Sequence, residues 1–275
     1  MSLSPDIKDI VVVIPVFNQL HFTQNCLDSL ARAGVAEAQI VIVNNGSTDG
    51  TREFLAARPG LRAIHNAENC GCGHAWTQGA KMSAAPWTVM LNNDVLVPPG
   101  CLEGLLRFAE EEQFDVVSPA MCEGDADYDF LKFNGEFIQK MAAAHRPDVA
   151  HGVCFMVRRR VFETVGYFNN FGGYEDDDFF RRARRAGFRL AITGRAALHH
   201  FGSVTQNSIK QQSHGTLKSL GDREYYRRET GQVWLKRKTL QLRDFLRSIW
   251  WRHSERLRYG HTLREQRIAG TVKYL

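Results

Sequence analysis

Long apolar runs are missing from this sequence. No hydrophobic stretch approaches the roughly 20 residues that cross a bilayer as a helix, and the N-terminus lacks the apolar core of a secretory signal peptide. We therefore expect a cytoplasmic protein. The pattern is also compatible with peripheral contact at the inner face of the membrane.

Glycine-rich phosphate loops are missing as well. The sequence has no Gly-x-Gly-x-x-Gly and no Walker-type loop, which disfavours a dinucleotide cofactor and an ATPase. The segment after the first predicted strand, residues 15–18, also lacks the glycine-rich loop and basic residue that a nucleotidyltransferase of related topology needs. A nucleotide would have to be held in another way, through a metal ion on its phosphates.

Cysteine is sparse and shows no pairing pattern. The six cysteines are scattered, mostly in apolar contexts, which predicts free thiols in a reducing compartment. Cys70 and Cys72 are too close for the usual zinc spacing and have no second pair nearby. Repeats and low-complexity segments are absent, so we expect the 275 residues to form one large domain with an appendage, or two domains.

Positive charge is scarce in most of the chain and concentrated near its end. Residues 1–209 hold 19 Lys and Arg against 24 Asp and Glu, a net charge of −5. Residues 210–275 hold 16 against 6, a net charge of +10, and the two segments sum to the +5 of the whole chain. We therefore predict a main domain at 1–209 and a basic, mostly helical extension at 210–275 with a partner of its own.

The first half of the sequence alternates short apolar runs with amphipathic stretches. Runs rich in β-branched residues predict buried strands at residues 10–14, 40–43, 61–64 and 87–91. Helical spacing and terminal glycines predict helices at residues 23–32, at 51–57 and from the 69–73 loop to about residue 83. Such alternation with short loops predicts an α/β fold with a mostly parallel, doubly wound sheet.

The loops after the first, second and fourth strands carry Asn or Asp. These side chains are Asn18, Asn44, Asn45, Asp49 and Asp94. Because ligands of open α/β sheets bind at the carboxyl ends of the strands, we expect the five to converge there. A polar turn is the alternative interpretation of the segment around Asp94.

The second half predicts further strands, helices and one irregular segment. We predict an amphipathic helix from residue 101, strands at 115–118, 153–157 and 188–192, a helix at 158–166, and a helix at 179–186 that residues 175–178 enter. Residues 120–150 are acidic and show no clear period, so we expect an irregular flap on the acceptor side.

Four adjacent acids, Glu175-Asp176-Asp177-Asp178, stand at the start of a predicted helix. The helix macrodipole stabilises an acid there by roughly 0.3–1 kcal/mol. That accounts for one or two acids but not for four, whose mutual repulsion opposes the benefit. Helix geometry lets only one or two face the sheet edge, and we expect Asp177 and Asp178 to face solvent or bind the arginines of the next turn.

The basic extension contains apolar residues at helix-like spacing. They are Trp234, Leu235, Leu242, Phe245, Leu246, Ile249, Trp250 and Leu257. The pattern fits an interfacial helix on an anionic membrane, or a stripe that packs on the main domain or on a second copy as a homodimer. No nucleic-acid-binding module accompanies the charge, so we expect no nucleic acid as a partner.

The order of these segments resembles that of family 2 glycosyltransferases. On the donor side, residues 13–18 and 43–51 resemble the first two strand ends, and Leu91-Asn92-Asn93-Asp94 is similar to the family's variant of the Asp-x-Asp metal motif. On the acceptor side, the similar segments are residues 152–160, 165–168 and 174–178, with Arg182 and Gly187, and the His segment at 199–203. The resemblance covers roughly residues 9–206, with rhamnosyltransferase-like members as the nearest match.

The resemblance implies a GT-A fold and a binding site for a nucleotide sugar. The residues that would bind it are Pro15, Phe17, Asn18, Asn44, Asn45, Asn69, Gly71, Asn92 and Asn93. Asn92 would lie near the ribose, and Asn18 and Asn44 would border the base. The family usually has Asp where this chain has Asn44, and an Asn can both accept from an imide N–H and donate to a ring carbonyl, which favours a pyrimidine.

The resemblance also implies a metal ion and a catalytic base. Asp94 would be the carboxylate on Mg²⁺ or Mn²⁺, with His200 slightly preferred over His199 as the residue that helps hold the metal or the diphosphate. The base would be Asp176, with Glu175 second.

We therefore predict an inverting, metal-dependent hexosyl- or deoxyhexosyltransferase. It would move a sugar from a UDP- or dTDP-type donor to a hydroxyl group of a glycan or lipid-linked acceptor, in polysaccharide synthesis for the cell envelope. The alternatives are a catalytically degenerate relative that binds sugar or a partner, and a nucleotidyltransferase.

Overall fold

The computed structural model describes residues 6–171, 173–202, 204, 231 and 234–275. In this part of the chain, eleven strands pair in one sheet. The strands are β1 (Ile10–Val16), β2 (Ile40–Asn45), β3 (Arg62–Asn66), β4 (Trp87–Leu91), β5 (Val95–Leu96), β6 (Val116–Gly124), β7 (His145–Pro147), β8 (Cys154–Arg158), β9 (Leu190–His200), β10 (Arg264–Ile268) and β11 (Thr271–Tyr274). The helices are α1 (Leu20–Arg32), α2 (Thr51–Ala56), α3 (Cys72–Lys81), α4 (Cys101–Glu111), α5 (Phe130–Met141), α6 (Arg159–Val165), α7 (Glu175–Arg185) and α8 (Trp234–Tyr259).

The sheet is mostly parallel and has helices on both faces. Its strands follow the order β11-β10-β6-β8-β4-β1-β2-β3, and β9 lies parallel to the other edge of β6. β8 is antiparallel to both β4 and β6. The predicted α/β class, doubly wound sheet and C-terminal helix are confirmed.

Strand β1 shows why the central strands are apolar throughout. Ile10, Val12 and Ile14 pack into the core under α1 and α4, whereas Val11 and Val13 pack into a second core with α3 and α7. Because both faces of a parallel strand are covered, no position is left for a polar side chain.

The prediction of an irregular flap at residues 120–150 is wrong. β6 runs on to Gly124, α5 follows, and β7 pairs with β9. Asp129 caps α5 by accepting a hydrogen bond from the backbone N–H of Lys132 (3.0 Å), and the inner face of the helix buries Phe137 and Met141. The acids that suggested a flap are thus a helix cap and side chains at a strand end.

The C-terminal extension contributes two strands that were not predicted. β10 pairs in parallel with the end of β6, where Glu265 lies opposite Cys122, and β11 continues the sheet as a hairpin. Leu263 just before β10 is fully buried against α5. The boundary predicted at residues 209 and 210 lies outside the described residues.

A buried ion pair joins α8 to the main sheet. The guanidinium of Arg146 in β7 donates two hydrogen bonds to the carboxylate of Glu255 in α8, at 2.8 and 2.9 Å, and both side chains are buried. Glu255 also accepts a hydrogen bond from the backbone N–H of Leu263 at 2.9 Å.

Within the residues that the structure describes, no helix combines the length and the apolar character needed to cross a membrane.

Candidate functional site

The loops that follow β1 and β2 are tied together by hydrogen bonds. Asn18 donates its backbone N–H to Oγ of Ser47 (2.8 Å), and its Oδ1 accepts from the backbone N–H of Thr48 (2.8 Å). Asn18 has a φ of 54°, in the left-handed region that Asn tolerates better than most residues. The side chain predicted to border a base therefore shapes the rim of the site. Pro15, opposite Val43 in the sheet, and Phe17 are partly buried just before it.

Asn44 and Asn45 point into the protein. Asn44 is fully buried: its Oδ1 accepts from the backbone N–H of Ser47 (3.0 Å), and its Nδ2 lies 3.2 Å from Nδ1 of His65. Asn45 donates from Nδ2 to the carbonyl of Gly71 (3.3 Å). In this structure both ends of the Asn44 amide face protein groups, and its place beside the base stays a prediction. Both residues hold the loops in place.

The entry to α3 lies against the loop that precedes α7. Asn69 accepts from the backbone N–H of Gly71 (3.0 Å), and Asn170 donates to the carbonyl of Cys70 (2.9 Å). Gly71 has a φ of 87°, and a β-carbon there would lie 2.5 Å from Oδ1 of Asn170. A β-carbon on Gly73 would lie 2.5 Å from Cγ of Glu175. Glycine is therefore required at both positions for this approach.

The segment after β4 brings Asp94 to the edge of the sheet. The backbone N–H of Asn92 donates to the carbonyl of Val153 (2.9 Å), and Nδ2 of Asn93 donates to Oγ1 of Thr23 in α1 (3.0 Å). Asn93 is buried and fixes the turn, whereas Asn92 is partly buried. Asp94 is nearly enclosed, with 4% of its surface exposed.

Asp94 and His200 face each other across the pairing of β5 with β9. Oδ1 of Asp94 lies 3.4 Å from Nε2 of His200, and Oδ2 accepts from the backbone N–H of Val204 (3.2 Å). Nδ1 of His200 lies 3.8 Å from Oε2 of Glu123 on β6. Burial opposes a charge on His200, but the attraction of Asp94 and Glu123 outweighs it and raises its pKa to about 9. The two carboxylates thus favour one positive charge at this point.

The atoms between Asp94 and His200 fit a divalent cation. Within the described residues, Oδ1 of Asp94 and both ring nitrogens of His200 are buried and have no hydrogen-bond partner. A buried polar atom without a partner costs free energy that a ligand would recover. The described residues contain no group of three or more His, Cys, Asp or Glu that could hold a metal. The pair suits an ion that takes its other ligands from a diphosphate and water.

His199 lies on the opposite face of β9. Its Nδ1 is 2.9 Å from the hydroxyl oxygen of Tyr128, and its ring contacts Phe130 and Phe201. Burial, followed by the nearby charge of His200, lowers the pKa of His199 to about 4. Because successive side chains of a strand point to opposite faces, the structure brings only His200 to Asp94.

Asp176 lies in a narrow space at the start of α7. Its Oδ1 accepts from the backbone N–H of Asp177 (2.9 Å), and its Oδ2 lies against Gly152, where a β-carbon would be only 2.1 Å away. Burial, followed by the charges of Asp177 and Glu175, raises the pKa of Asp176 to about 6. A carboxylate with this pKa is mostly ionised at neutral pH and a stronger proton acceptor than an ordinary Asp.

The other acids of this run differ in their surroundings. Glu175 is buried, its Oε2 accepts from the backbone N–H of Gly173 (2.8 Å), and its Oε1 has no partner within the described residues. Asp178 is buried in ion pairs with Arg181 and Arg182, while Asp177 is exposed. For Asp178, the structure shows the predicted contact with the arginines of the next turn.

The acids of the donor and acceptor sides face one region. Burial, followed by the negative charges of Glu175, Asp176 and Asp94, raises the pKa of the Cys72 thiol well above its usual range. Gly152 touches Asp176, and its neighbour Val153 accepts the hydrogen bond from Asn92. The edge of the sheet therefore presents Asp94 beside a histidine, and Glu175 and Asp176 together at the start of α7.

Sequence reasoning missed Glu123 and Gly152. Glu123 was assigned to an irregular segment, and only the pairing of β6 with β9, which sets Glu123 opposite His200, shows its place. Gly152 carried a signal, since a glycine before a buried strand often marks a close approach, but the sequence gives no indication of which side chain approaches it.

Known proteins resemble this chain in sequence and in structure. The family model described as Glycosyl transferase family 2 matches residues 11–166, more than half of the chain. The uncharacterized glycosyltransferase EpsJ of Bacillus subtilis is 28% identical over 120 residues, 42% of this chain and 35% of EpsJ. Uncharacterized protein Rv1525 of Mycobacterium tuberculosis is 25% identical over 211 residues, 72% of this chain and 76% of that protein.

The structural comparison shows the fold. The mannosyltransferase PcManGT from Pyrobaculum calidifontis, solved in complex with GDP-Man and Mn²⁺, superimposes with a TM-score of 0.54 at 20% identity, over 70% of this chain and 56% of its own. The matched region spans about a third of the length of the first curated relatives.

Proposed function

Because this chain belongs to glycosyl transferase family 2 and has the GT-A fold, we propose that it transfers a sugar from a nucleoside diphosphate to an acceptor hydroxyl group. The observation that carries the proposal is the arrangement of Asp94 beside His200, with Asp176 against Gly152, whose neighbour Val153 is hydrogen-bonded to Asn92. A transfer of this kind needs a place for the leaving diphosphate and a separate base for the acceptor, and these are the roles that we assign to the Asp94–His200 pair and to Asp176.

The donor in this proposal is a UDP- or dTDP-type sugar with a hexosyl or deoxyhexosyl group, as in rhamnosyltransferase-like enzymes. The loops held by Asn18, Asn44 and Asn45 would form the wall for the base, and Asn92 would lie near the ribose. Gly73 permits the close approach of Glu175, whose Oε1 has no partner among the described residues and suits a hydroxyl group of the sugar. The Mn²⁺ and GDP-Man named for PcManGT are consistent with a nucleotide sugar and a cation in a fold of this type.

Asp94 and His200 would hold Mg²⁺ or Mn²⁺ in this enzyme. A bound cation would supply Lewis-acid stabilisation of the charge that develops on the leaving diphosphate. The protein contributes the orientation: Glu123 faces Nδ1 of His200, so the other ring nitrogen is directed towards Asp94. Burial of the pair also keeps bulk water from weakening these charges.

Asp176 would be the catalytic base. It would accept the proton of the acceptor hydroxyl group as the oxygen attacks the anomeric carbon, on the side opposite the diphosphate, so that the configuration inverts. Its pKa of about 6 fits this role near neutral pH. Glu175 is the second choice, since it lies next to Asp176 and, like Asp176, has one oxygen held by a backbone N–H and one that is not.

The acceptor in this proposal is a glycan or a lipid-linked saccharide of the cell envelope, reached from the cytoplasmic side. The chemistry at the site requires only a hydroxyl group that can approach Asp176. The surfaces around that carboxylate would select the acceptor sugar and the linkage.

A thermal-shift panel tests the proposed donor site. UDP, dTDP, GDP and ADP are each added to the full chain with and without Mn²⁺. Ligand at a hundredfold excess over its dissociation constant stabilises the folded form by about 2.7 kcal/mol, which is readily measured. We expect a pyrimidine diphosphate to stabilise the protein only when Mn²⁺ is present.

Donor hydrolysis and product analysis separate the alternatives. A transferase should release nucleoside diphosphate slowly from its donor in the presence of Mn²⁺, and the transferred sugar should have the inverted configuration by NMR. Binding without release would favour a degenerate sugar-binding relative. Formation of pyrophosphate from a sugar phosphate and a nucleoside triphosphate would favour a nucleotidyltransferase.

A further inference from the structure

Helix α8 exposes a continuous apolar stripe. Six large apolar side chains on it have between 37% and 74% of their surface exposed. They are Leu242, Phe245, Leu246, Ile249, Trp250 and Leu257. Their spacing of three, four and seven residues places them on one face of the helix. Isolated apolar side chains on a surface need no explanation, but a stripe along about four helical turns marks a binding surface.

The opposite face of α8 fixes the stripe in its outward orientation. Glu255 is buried in its ion pair with Arg146, and Trp251 is partly buried with its ring 5.4 Å from the same guanidinium. Helical geometry puts Leu242 and Leu246 on the side away from these two residues. The helix is therefore held by one face, and the apolar face is left without a partner among the described residues.

The stripe is bordered by positive charge. Trp234–Tyr259 contains eight Lys and Arg against two Asp and Glu, a net charge of +6, and one of the two acids, Glu255, is neutralised by Arg146. Arg243 lies on one side of the stripe and Arg252 on the other, and both are exposed. Long basic side chains at the border of an apolar face can extend towards phosphate groups while their stems stay on apolar surface.

We propose that this face of α8 docks on a lipid surface that carries anionic headgroups. The apolar stripe would enter the boundary between headgroups and acyl chains, and the arginines would contact the lipid phosphates. Trp250, 65% exposed, is an aromatic residue of the kind that prefers the level of the headgroups. The docked helix would lie in the plane of the membrane.

Charge selects the membrane over a second copy of the chain. A symmetric dimer through this face would bring two helices of net charge +6 together, and their repulsion would oppose the burial of the stripes. An anionic lipid surface satisfies both the apolar and the basic part of the same face. The inference concerns a surface of the extension and does not depend on the transfer reaction.

Vesicle flotation with the full chain tests the proposal. We expect the protein to float with vesicles of phosphatidylcholine and phosphatidylglycerol, and to stay unbound with vesicles of phosphatidylcholine alone. In about 1 M salt, where the screening length falls to about 3 Å, binding should weaken strongly. The double variant Phe245→Glu, Trp250→Glu should reduce the bound fraction by about tenfold or more, because binding scales with buried apolar area.

Leu131→Glu is the matched control, since Leu131 is 59% exposed on α5, apart from the stripe. It should float like the wild type, and thermal melts should show that all variants are folded. Equal flotation of the double variant, or equal binding to both kinds of vesicle, would overturn the proposal. So would a dimer in light scattering that the double variant abolishes while neither protein binds vesicles, because the second copy would then be the partner.

Discussion

A β-carbon on Gly152 would lie 2.1 Å from Oδ2 of Asp176, closer than any normal contact. Gly152→Ala should therefore displace the carboxylate that we propose as the base. A shift of about 1 Å in a reacting group can lower turnover by about a hundredfold. Steady-state kinetics on the variant would show this as a loss in kcat, with donor binding nearly unchanged.

The matched control is Gly135→Ala. Gly135 lies in α5, and a β-carbon there would meet nothing within 4 Å. Alanine should leave turnover unchanged and stabilise the helix by up to about 1 kcal/mol. Equal activity of both alanine variants would mean that Asp176 moves without consequence, which contradicts its assignment.

Asp176→Asn should lower turnover by about 10²–10⁴-fold, the usual contribution of a positioned base. In the wild type, kcat/KM should rise with pH through about 6, because the carboxylate must lose its proton to act. The variant should not show this rise. Loss of donor binding in the variant, or near-normal transfer, would move the base to Glu175 or remove this helix from the mechanism.

The same substitution should change how stability depends on pH. The pKa of Asp176 is raised on folding from its ordinary 3.8 to about 6, so its contribution is complete below pH 3.8 and is lost as the pH rises through about 6. About two pKa units correspond to roughly 3 kcal/mol. Denaturant titrations at acid and neutral pH should show that the free energy of unfolding of the wild type falls by this amount as the pH rises. The free energy of unfolding of the variant should not show this fall.

Asp94→Asn should keep the fold and abolish the enhancement of nucleotide binding by Mn²⁺. An amide carries no negative charge, so the proposed cation would lose its protein carboxylate. Thermal shifts with UDP or dTDP, with and without Mn²⁺, measure the effect. Asp28→Asn is the control, because Asp28 is exposed on α1. An unchanged dependence on Mn²⁺ in the Asp94 variant would show that the ion binds elsewhere.

Glu123→Gln should weaken Mn²⁺ binding without removing it. Glu123 faces the far ring nitrogen of His200, and loss of such an outer partner typically lowers metal affinity by about 10–100-fold. Titration of Mn²⁺ by electron paramagnetic resonance, in the presence of UDP, reports the affinity directly. Glu136→Gln, on the exposed side of α5, should leave it unchanged. Equal affinities in the two variants would exclude a positioning role for Glu123.

Glu255→Gln should destabilise the fold by about 3–5 kcal/mol, because it leaves the buried guanidinium of Arg146 without its counter-charge. Chemical denaturation measures the loss, and Glu163→Gln on an exposed helical turn should change stability by less than about 0.5 kcal/mol. The sequence predicts a main domain at residues 1–209, but the contacts of Glu255 and Leu263 indicate that a fragment without the extension would be unstable.

The sequence predicts the central strands because each must be apolar on both faces. The β-branched apolar residues of Ile10–Val16 and Ile40–Asn45 favour a buried strand over a helix or a loop. β10 could not be found in this way: its residues are mostly charged, and Glu265 is buried only because β6 and the 261–262 turn surround it. A charged strand is recognisable only from its partner.

The geometry of the candidate site also depends on strand partners that are distant in the sequence. Asp94 and His200 were each predicted as candidates, since each follows or ends an apolar strand. Their approach to 3.4 Å depends on the pairing of Val95 with His200, which is a long-range register and leaves no local signal. The choice between His199 and His200 also depends on that register, because one residue of slip exchanges the two faces.

The parallel pairing of β10 with β6 has a consequence for synthesis of the chain. Arg267 and Asp127, which form an ion pair between these regions, are separated by 140 residues. While the ribosome is still making the extension, the end of β6 has an open edge and Arg146 lacks its carboxylate. An unpaired strand edge invites contact with other chains. A chain released before residue 255 should therefore be prone to aggregation and proteolysis.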